Sequence, residues 1–157
     1  MFFKKKDKAL KAYANGKMIP ITQVEDQVFS QKIMGDGLAI FPDDNKIYAP
    51  CDGQISAVFE QTQHAVGITL KNGIELILHV GLDTVNLTEP VFQTMVTMNE
   101  QVKQGQLLIT YEKERLKELG YTDVTMCVII NEGESKNLEI HLTDQAVANE
   151  TDIITYR

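Results

Sequence analysis

The sequence predicts an all-β protein, mainly an antiparallel sandwich or barrel with one or two short helices. Short apolar segments follow one another closely and are separated by Gly, Asn, Asp and Pro, which is typical of strands joined by turns. Asn72 and Gly73 lie between two alternating segments, and Asn-Gly at such a place is a strong hairpin signal. Because parallel strands need connections of a dozen or more residues, these short connections favour antiparallel pairing.

The first elements are predicted from turn and capping residues. Residues 16–24, GKMIPITQV, indicate a short strand that Pro20 interrupts, because proline cannot donate to a strand ladder. Asp26 is the predicted N-cap of a brief helical turn that carries Val28 and Phe29.

The rest of the chain is predicted to be mostly strand. The one convincing helix covers residues 113–119 and ends at Gly120, since glycine is the usual residue just past a helix C-terminus. The other segments are short, apolar and bounded by turn residues. Strands are predicted near residues 38–41, 46–49, 54–60, 64–70, 74–80, 107–111, 125–131 and 137–142.

The composition is that of a globular protein with a single core. The chain has 157 residues, of which 43% are hydrophobic and 24% are charged. No apolar run approaches the ~20 residues that a membrane helix needs, and the N-terminus lacks the apolar region of a signal peptide. We therefore expect a cytoplasmic protein with one domain over residues 18–157, in which Cys51 and Cys127 are buried thiols.

The charge is divided unevenly along the chain. Residues 1–17 hold six lysines and one aspartate and have a net charge of +5. Since the whole chain has a net charge of −7, the remaining residues have a net charge of −12. An acidic body disfavours nucleic acid and favours a basic protein partner. The basic segment 1–17 is predicted to be a mobile terminus. Contact with an anionic membrane surface, with Phe2, Phe3 and Leu10 as apolar anchors, is the alternative.

Two histidines, His64 and His79, lie in the two arms of the predicted hairpin. A two-residue loop of Asn72 and Gly73 makes them diagonal neighbours on one face of the sheet. A loop of Lys71 and Asn72 places them directly opposite each other. A three-residue loop that ends in a Gly73 bulge sends them to opposite faces. Two of the three loops therefore bring the imidazoles together.

A pair of imidazoles on one face suits phosphoryl transfer. Neutral histidine has a nucleophilic nitrogen that accepts a phosphoryl group, and a second imidazole with a hydroxyl stabilises charge on the oxygens. Thr62 has the same strand parity as His64, so its hydroxyl is placed to hold that ring in one tautomer. Asp83 is ~13 Å from His79 in a straight strand, but Gly81 offers a bend that brings it closer. Zinc binding by His64 and His79 remains open, because zinc takes imidazole readily.

At these residues the sequence resembles the glucose-type enzyme IIA domains of the bacterial phosphoenolpyruvate:sugar phosphotransferase system. The similarity covers most of the chain from about residue 20 to the end. Its most specific parts are the His79, Gly81 and Asp83 block and the block with Thr62 and His64. The matching segments are SQKIMGDGLAIFP (30–42), YAPCDGQISAVFEQTQHAVGI (48–68), NGIELILHVGLDTVNL (72–87) and VKQGQLLITY (102–111).

The resemblance implies a fold and an activity. The implied fold is an antiparallel β-sandwich or barrel of the duplicated hybrid motif type, with few helices. The implied activity is phosphoryl relay, in which the phosphocarrier protein HPr phosphorylates His79 and a cysteine of a IIB domain or IICB permease receives the group for sugar uptake. His64 is implied to support the phosphoryl group, and Thr62 to orient His64. No cofactor is implied.

The resemblance also implies a partner-docking rim near the histidines. Asp36 and Asp83 match acidic positions that pair with a basic residue of HPr. The apolar positions of the rim are Leu38, Ile40, Phe41 and Val85. Residues 87–92, LTEPVF, replace a glycine-rich run of many members, which leaves the sugar open.

Three other functions use parts of the same pattern. His79 and Asp83 have the HxxxD spacing of some zinc hydrolases, although the HxH pair of those enzymes is missing, and His141 is expected at a surface or edge. A biotinyl or lipoyl carrier is suggested by VKQGQLL (102–108), but Lys71 lacks the motif of such domains. A non-catalytic regulatory binding module uses the same residues as the relay.

Overall fold

The computed structural model describes residues 7–157 and consists mainly of antiparallel strands. Two α-helices are present in this part of the chain, α1 (Gln27–Ser30) and α2 (Lys113–Glu118), with two 3₁₀ turns at Ile21–Gln23 and Thr84–Asn86. The strands are β1 (Lys8–Lys11), β2 (Gly16–Pro20), β3 (Asp36–Pro42), β4 (Lys46–Tyr48), β5 (Gly53–Val58), β6 (Ala65–Thr69), β7 (Glu75–Val80), β8 (Phe92–Thr94), β9 (Gln101–Val102), β10 (Leu107–Tyr111), β11 (Thr125–Asn131), β12 (Glu139–Ile140), β13 (Gln145–Ala146) and β14 (Asp152–Tyr156).

The strands form one large sheet and two small ones. The large sheet has the order β13-β2-β3-β11-β7-β6-β5-β9, and the small sheets have the orders β4-β10-β8 and β1-β14-β12. Over residues 7–157 the sheets do not close into a barrel, so the sandwich of the predicted fold class is confirmed. No helix in this part of the chain is long and apolar enough to cross a membrane.

Both faces of the large sheet are covered. One face lies on the main core, to which Leu76, Leu78 and Val80 of β7 contribute fully buried side chains. The opposite face carries a smaller apolar cluster beneath the first 3₁₀ turn and α1. His79 belongs to this second face, because side chains alternate along a strand. The smaller cluster consists of Ile19, Ile21, Val24, Phe29, Ala39, Val124, Met126 and Val128.

Helix α1 forms where the capping residue predicts it. The Oδ1 atom of Asp26 accepts a hydrogen bond from the amide of Val28 at 2.9 Å, which satisfies a donor that the first turn would leave free. Phe29 is buried in the smaller cluster. The α1 segment therefore closes over the second face of the sheet, next to His79.

The central strands agree with the sequence and the peripheral ones were missed. Every strand predicted from 38–41 to 125–131 has an observed counterpart within a few residues, whereas the one near 137–142 is reduced to β12. Strands β1, β8, β9, β13 and β14 were not predicted. Cys51 and Cys127 are free and buried, as expected.

The N-terminal segment differs from the expectation for residues 8–17. Strand β1 pairs with β14, and Leu10, at its centre, is fully buried in the main core. Leu10 therefore cannot act as an exposed membrane anchor, and this part of that prediction is wrong. The lysines dominate the local composition and favour the interpretation as a basic tail, whereas the pairing partner of β1 lies at the far end of the chain and leaves no local signal. Phe2 and Phe3 lie outside the described residues.

We predict that Leu10→Ala lowers the free energy of unfolding by about 2–5 kcal/mol, because it removes a fully buried side chain and leaves a cavity. Lys8→Ala is the matched control in the same strand, and its exposed side chain should contribute almost nothing. Urea unfolding of both variants measures the difference. Equal stability of the two variants would show that β1 is not part of the cooperative core.

Candidate active site

The hairpin of β6 and β7 has a three-residue loop. The amide of Leu70 donates to the carbonyl of Ile74 at 2.8 Å, and Gly73 lies in the left-handed region with φ of +90°. The register pairs Ala65 with His79. Both two-residue loops are therefore wrong, and the observed loop is the one that in regular strands separates the histidines.

The two imidazoles nevertheless meet. The ring centroids of His64 and His79 are 4.6 Å apart, and the rings stand edge to face at 82°. Strand β6 begins only at Ala65, so His64 lies just before it and does not follow the alternation of the strand. Gln63 has a φ of +58°, which turns the chain at this point. The meeting of the rings thus depends on an irregular residue and not on the hairpin register.

The side chain of Gln63 holds this irregular conformation. Its Oε1 atom accepts hydrogen bonds from the amide and the hydroxyl of Thr94, at 2.9 and 3.1 Å. The backbone N–H of Gln63 also donates to the carbonyl of Phe59, at 2.7 Å. Sequence reasoning missed Gln63, because Thr94 lies in β8, far along the chain and in another sheet.

A hydrogen bond to the backbone decides which ring nitrogen of His79 carries a hydrogen. Its Nδ1 atom lies 2.9 Å from the carbonyl oxygen of Gly81. A carbonyl oxygen only accepts, so Nδ1 carries the hydrogen, and in the neutral ring Nε2 holds a free lone pair. The ring is half-buried and packs against Phe29, with a centroid distance of 5.1 Å.

His64 is the more buried member of the pair, with 1% of its surface exposed. Its Nδ1 atom is 2.5 Å from the hydroxyl of Thr62, which lies in a turn before β6 and not in the strand from which the sequence argues. The rings of Phe59 and Phe92 flank the imidazole at 5.1 and 6.4 Å. These contacts fix the ring and exclude water from one side of it.

Burial keeps both rings neutral. The pKa of His64 falls from 6.5 to about 4, first because the ring is desolvated and then because His79 lies beside it. The pKa of His79 is also lowered by desolvation. Its hydrogen bond to Gly81 and the negative charges of Asp26 and Asp83 partly oppose this effect. At pH 7 the pair therefore offers uncharged imidazoles.

Two carboxylates affect His79, and only one of them was predicted. Gly81, with φ of +83°, bends the chain as expected, and Asp83 follows in the left-handed region with φ of +59°. Asp83 is exposed, and its charge acts on His79. Asp26 was recognised only as a helix cap, because its proximity to His79 depends on the docking of α1 on the sheet.

The predicted apolar rim is partly wrong. Leu38 and Ile40 are 0% exposed in the main core, since alternate residues of β3 point into it, and they cannot contact a partner. Phe41 is exposed and lies in β3 at the edge of the second face. Val85 is 56% exposed and follows Asp83 directly.

Other exposed apolar side chains near the histidines were missed. Val28 precedes Phe29 in α1 and is largely exposed. Phe59 combines an exposed edge with its contact to His64. Together with Phe41 and Val85 they form the apolar border of the site. From here on, the rim means these four residues and no longer the predicted set.

Asp36 and His141 lie away from the pair. Asp36 pairs with Ile129 of β11, whereas His79 pairs with Met126, three positions along the same strand. The carboxylate of Asp36 accepts from the amide of Gly37 and lies 3.4 Å from the ammonium of Lys32. His141 bonds to Thr155 at 2.6 Å beside an edge strand.

In the part of the chain that the structure describes, the histidine pair falls short of the ligand number of a zinc hydrolase centre. Zinc sites in proteins use three or four protein ligands, and the pair offers two imidazoles, each with its Nδ1 engaged and only its Nε2 left as a donor. Within residues 7–157 no group of three or more His, Cys, Asp or Glu side chains is placed to hold a metal. The HxxxD spacing of His79 and Asp83 is therefore not completed by a third donor there.

Comparison with known proteins places this arrangement in a family. Residues 8–135 match the family model described as phosphoenolpyruvate-dependent sugar phosphotransferase system, EIIA 1. The glucose permease IIA from Mycoplasma capricolum has a similar structure, with a TM-score of 0.84 and 35% sequence identity over 99% of each chain. The chain therefore belongs to the EIIA 1 family of the phosphoenolpyruvate-dependent sugar phosphotransferase system, where its role is phosphoryl relay.

Proposed function

We propose that His79 carries the phosphoryl group during this relay, and that Nε2 is the atom that bonds to phosphorus. The observation that supports this assignment is the hydrogen bond from Nδ1 to the carbonyl of Gly81, which leaves Nε2 with its lone pair. The ring is half-buried and not enclosed, so a partner protein reaches it. His64, at 1% exposure, is less accessible to such a partner.

The proposed donor is phosphorylated HPr and the proposed acceptor is a cysteine of a IIB domain or IICB permease. The lone pair of Nε2 attacks phosphorus, the bond from phosphorus to the donor histidine breaks, and its electron pair returns to that ring. In the second step the cysteine thiolate attacks the phosphorus, and the bond to Nε2 breaks. In both steps only the phosphoryl group is transferred. The relay is proposed to proceed in the cytoplasm.

Phosphorylation of Nε2 while Nδ1 keeps its hydrogen gives the His79 ring a positive charge. The carbonyl of Gly81 accepts from the charged ring, and a hydrogen bond to a charged group is stronger than one between neutral groups. The carboxylates of Asp26 and Asp83 also favour a positive ring. The Gly81 carbonyl and the two carboxylates thus stabilise the carrier state.

His64 is proposed to stabilise the phosphoryl oxygens. If the hydroxyl of Thr62 donates to Nδ1 of His64, the hydrogen of the neutral ring lies on Nε2. An Nε2–H donor beside His79 then bonds to a phosphoryl oxygen, in a site from which Phe59 and Phe92 exclude water. Thr62 serves as the residue that orients this donor.

The partners are proposed to dock on the rim. Val28, Phe41, Phe59 and Val85 supply exposed apolar contacts, and Asp83 supplies a charge for a basic residue of HPr. The acidic body attracts a basic carrier over longer distances. Contact of HPr with Asp36 requires that its exposed ion pair with Lys32 opens, which costs little.

We predict that His79→Ala reduces phosphoryl incorporation to background, because the accepting nitrogen is removed. The protein is incubated with phosphoenolpyruvate, enzyme I and HPr, and the acid-labile phosphate is located by mass spectrometry. His141→Ala is the matched control, since His141 lies outside the pair, and it should be labelled like the wild type. Label on His64 or His141, or unchanged labelling of His79→Ala, would disprove the assignment.

His64→Gln is expected to accept the phosphoryl group but to pass it on slowly. Loss of one positioned donor to a transition-state oxygen reduces transfer by about 10²-fold. Single-turnover transfer from the phosphorylated protein to the cysteine of a IIB domain measures this step apart from the first. Thr62→Val should give a smaller defect of the same kind. Equal rates of donation in His64→Gln and wild type would remove His64 from the mechanism.

The stability of the protein should fall as the pH falls from about 7 to about 4. In the unfolded chain a histidine has a pKa of about 6.5, whereas that of His64 in the folded chain is about 4, so the unfolded state binds more protons between these values. Urea unfolding at pH 7 and pH 5 should show a smaller loss for His64→Gln than for wild type. Identical losses would mean that folding does not lower the pKa of His64.

A further inference from the structure

The turn after β7 contains a buried threonine, Thr84, for which the relay gives no role. It is fully buried, and its hydroxyl donates to the carbonyl of Val80 at 2.6 Å. The amide of Val80 donates to the carbonyl of His64 at 2.8 Å. In a regular antiparallel ladder the amide of His64 would donate to the carbonyl of Val80 in return. The Thr84 hydroxyl therefore completes the ladder at the point where His64 leaves it.

The peptide group between Val80 and Gly81 is held at both of its polar atoms. Thr84 bonds to its carbonyl, and its N–H donates to the carbonyl of Val124 at 2.8 Å. Since a peptide group is planar, these two bonds fix its orientation. The two backbone angles of Gly81 then orient its own carbonyl relative to this fixed peptide group, and with a φ of +83° the carbonyl lies against Nδ1 of His79.

The methyl group of Thr84 restricts the same residue by contact. A Cβ atom added to Gly81 would lie 2.4 Å from Cγ2 of Thr84 and 2.7 Å from the carbonyl oxygen of Thr122. Only glycine fits between them, and glycine adopts a positive φ without steric cost. The hydroxyl of Thr84 thus holds the peptide group that precedes Gly81, and its methyl group limits the space at Gly81, whose carbonyl contacts the His79 ring.

We propose that Thr84 is a positioning residue that sets the tautomer of His79 through the carbonyl of Gly81. A neutral imidazole carries its hydrogen on either nitrogen, and the hydrogen bond made by one nitrogen decides which. With the carbonyl in place, Nδ1 holds the hydrogen and Nε2 is the nucleophile. Thr84 touches neither the ring nor the phosphoryl group. The consequence for the rate rests on the proposed function, whereas the effect on the tautomer does not.

Nitrogen NMR of the full chain labelled in histidine tests the proposal. Wild type, Thr84→Val and Thr84→Ser are compared at pH 7.5, and the His79 signals are identified by their loss in His79→Gln. Thr84→Val keeps the shape but lacks the hydroxyl, and its His79 ring should populate both tautomers. Thr84→Ser keeps the hydroxyl, and its ring should stay protonated on Nδ1. Thr88→Val, at an exposed threonine of the same segment, is the control and should match wild type.

The rate of phosphorylation by HPr is the second measurement. Thr84→Val should be slower than wild type by about fivefold, the effect of one lost hydrogen bond, and Thr84→Ser should stay within about twofold. A folded Thr84→Val protein with the wild-type tautomer would overturn the proposal. If Thr84→Val does not fold, Thr84→Ser decides, because mixed tautomers in that variant would also overturn it. Wild type that is not phosphorylated on His79 would refute the relay assignment and leave the tautomer result standing.

Discussion

The hydrogen bond between the His79 ring and the carbonyl of Gly81 is the constraint on which the site depends. It requires the chain to bend immediately after β7, so that the backbone oxygen of Gly81 reaches the side chain two residues earlier. Gly81 and Asp83 both have positive φ, and such conformations are stable only when the surrounding structure holds them. The sheet below and the 3₁₀ turn that follows provide this support.

A second constraint is the closeness of two imidazoles in a poorly hydrated place. At 4.6 Å between centroids, two positive rings would repel each other strongly. Burial removes this conflict by keeping both rings neutral, and the carboxylates beside His79 make it the ring on which a positive charge is better tolerated. The asymmetry of the pair therefore comes from its surroundings, since the two side chains are chemically the same.

The sequence predicts the central strands well, because their apolar segments and turn residues are local features. It does not decide the hairpin loop, because Asn-Gly suits both a two-residue turn and a three-residue loop that ends in glycine. The meeting of His64 and His79 follows from the left-handed Gln63, whose partner Thr94 lies in another sheet. Strands of two residues, such as β9 and β13, have no periodicity to detect. In β3, an apolar run covered on both faces gives no sign of which residues reach the surface.

The pairing of β1 with β14 has a consequence for how this fold combines with other proteins. Lys8 lies opposite Tyr156, so β1 and β14 run side by side in a sheet that shares no strand with the one carrying the histidines. Two chain positions held side by side in this way tolerate insertion into a host polypeptide or circular permutation. A connection made at Lys8 or Tyr156 would therefore join a different sheet from the one that carries the histidines.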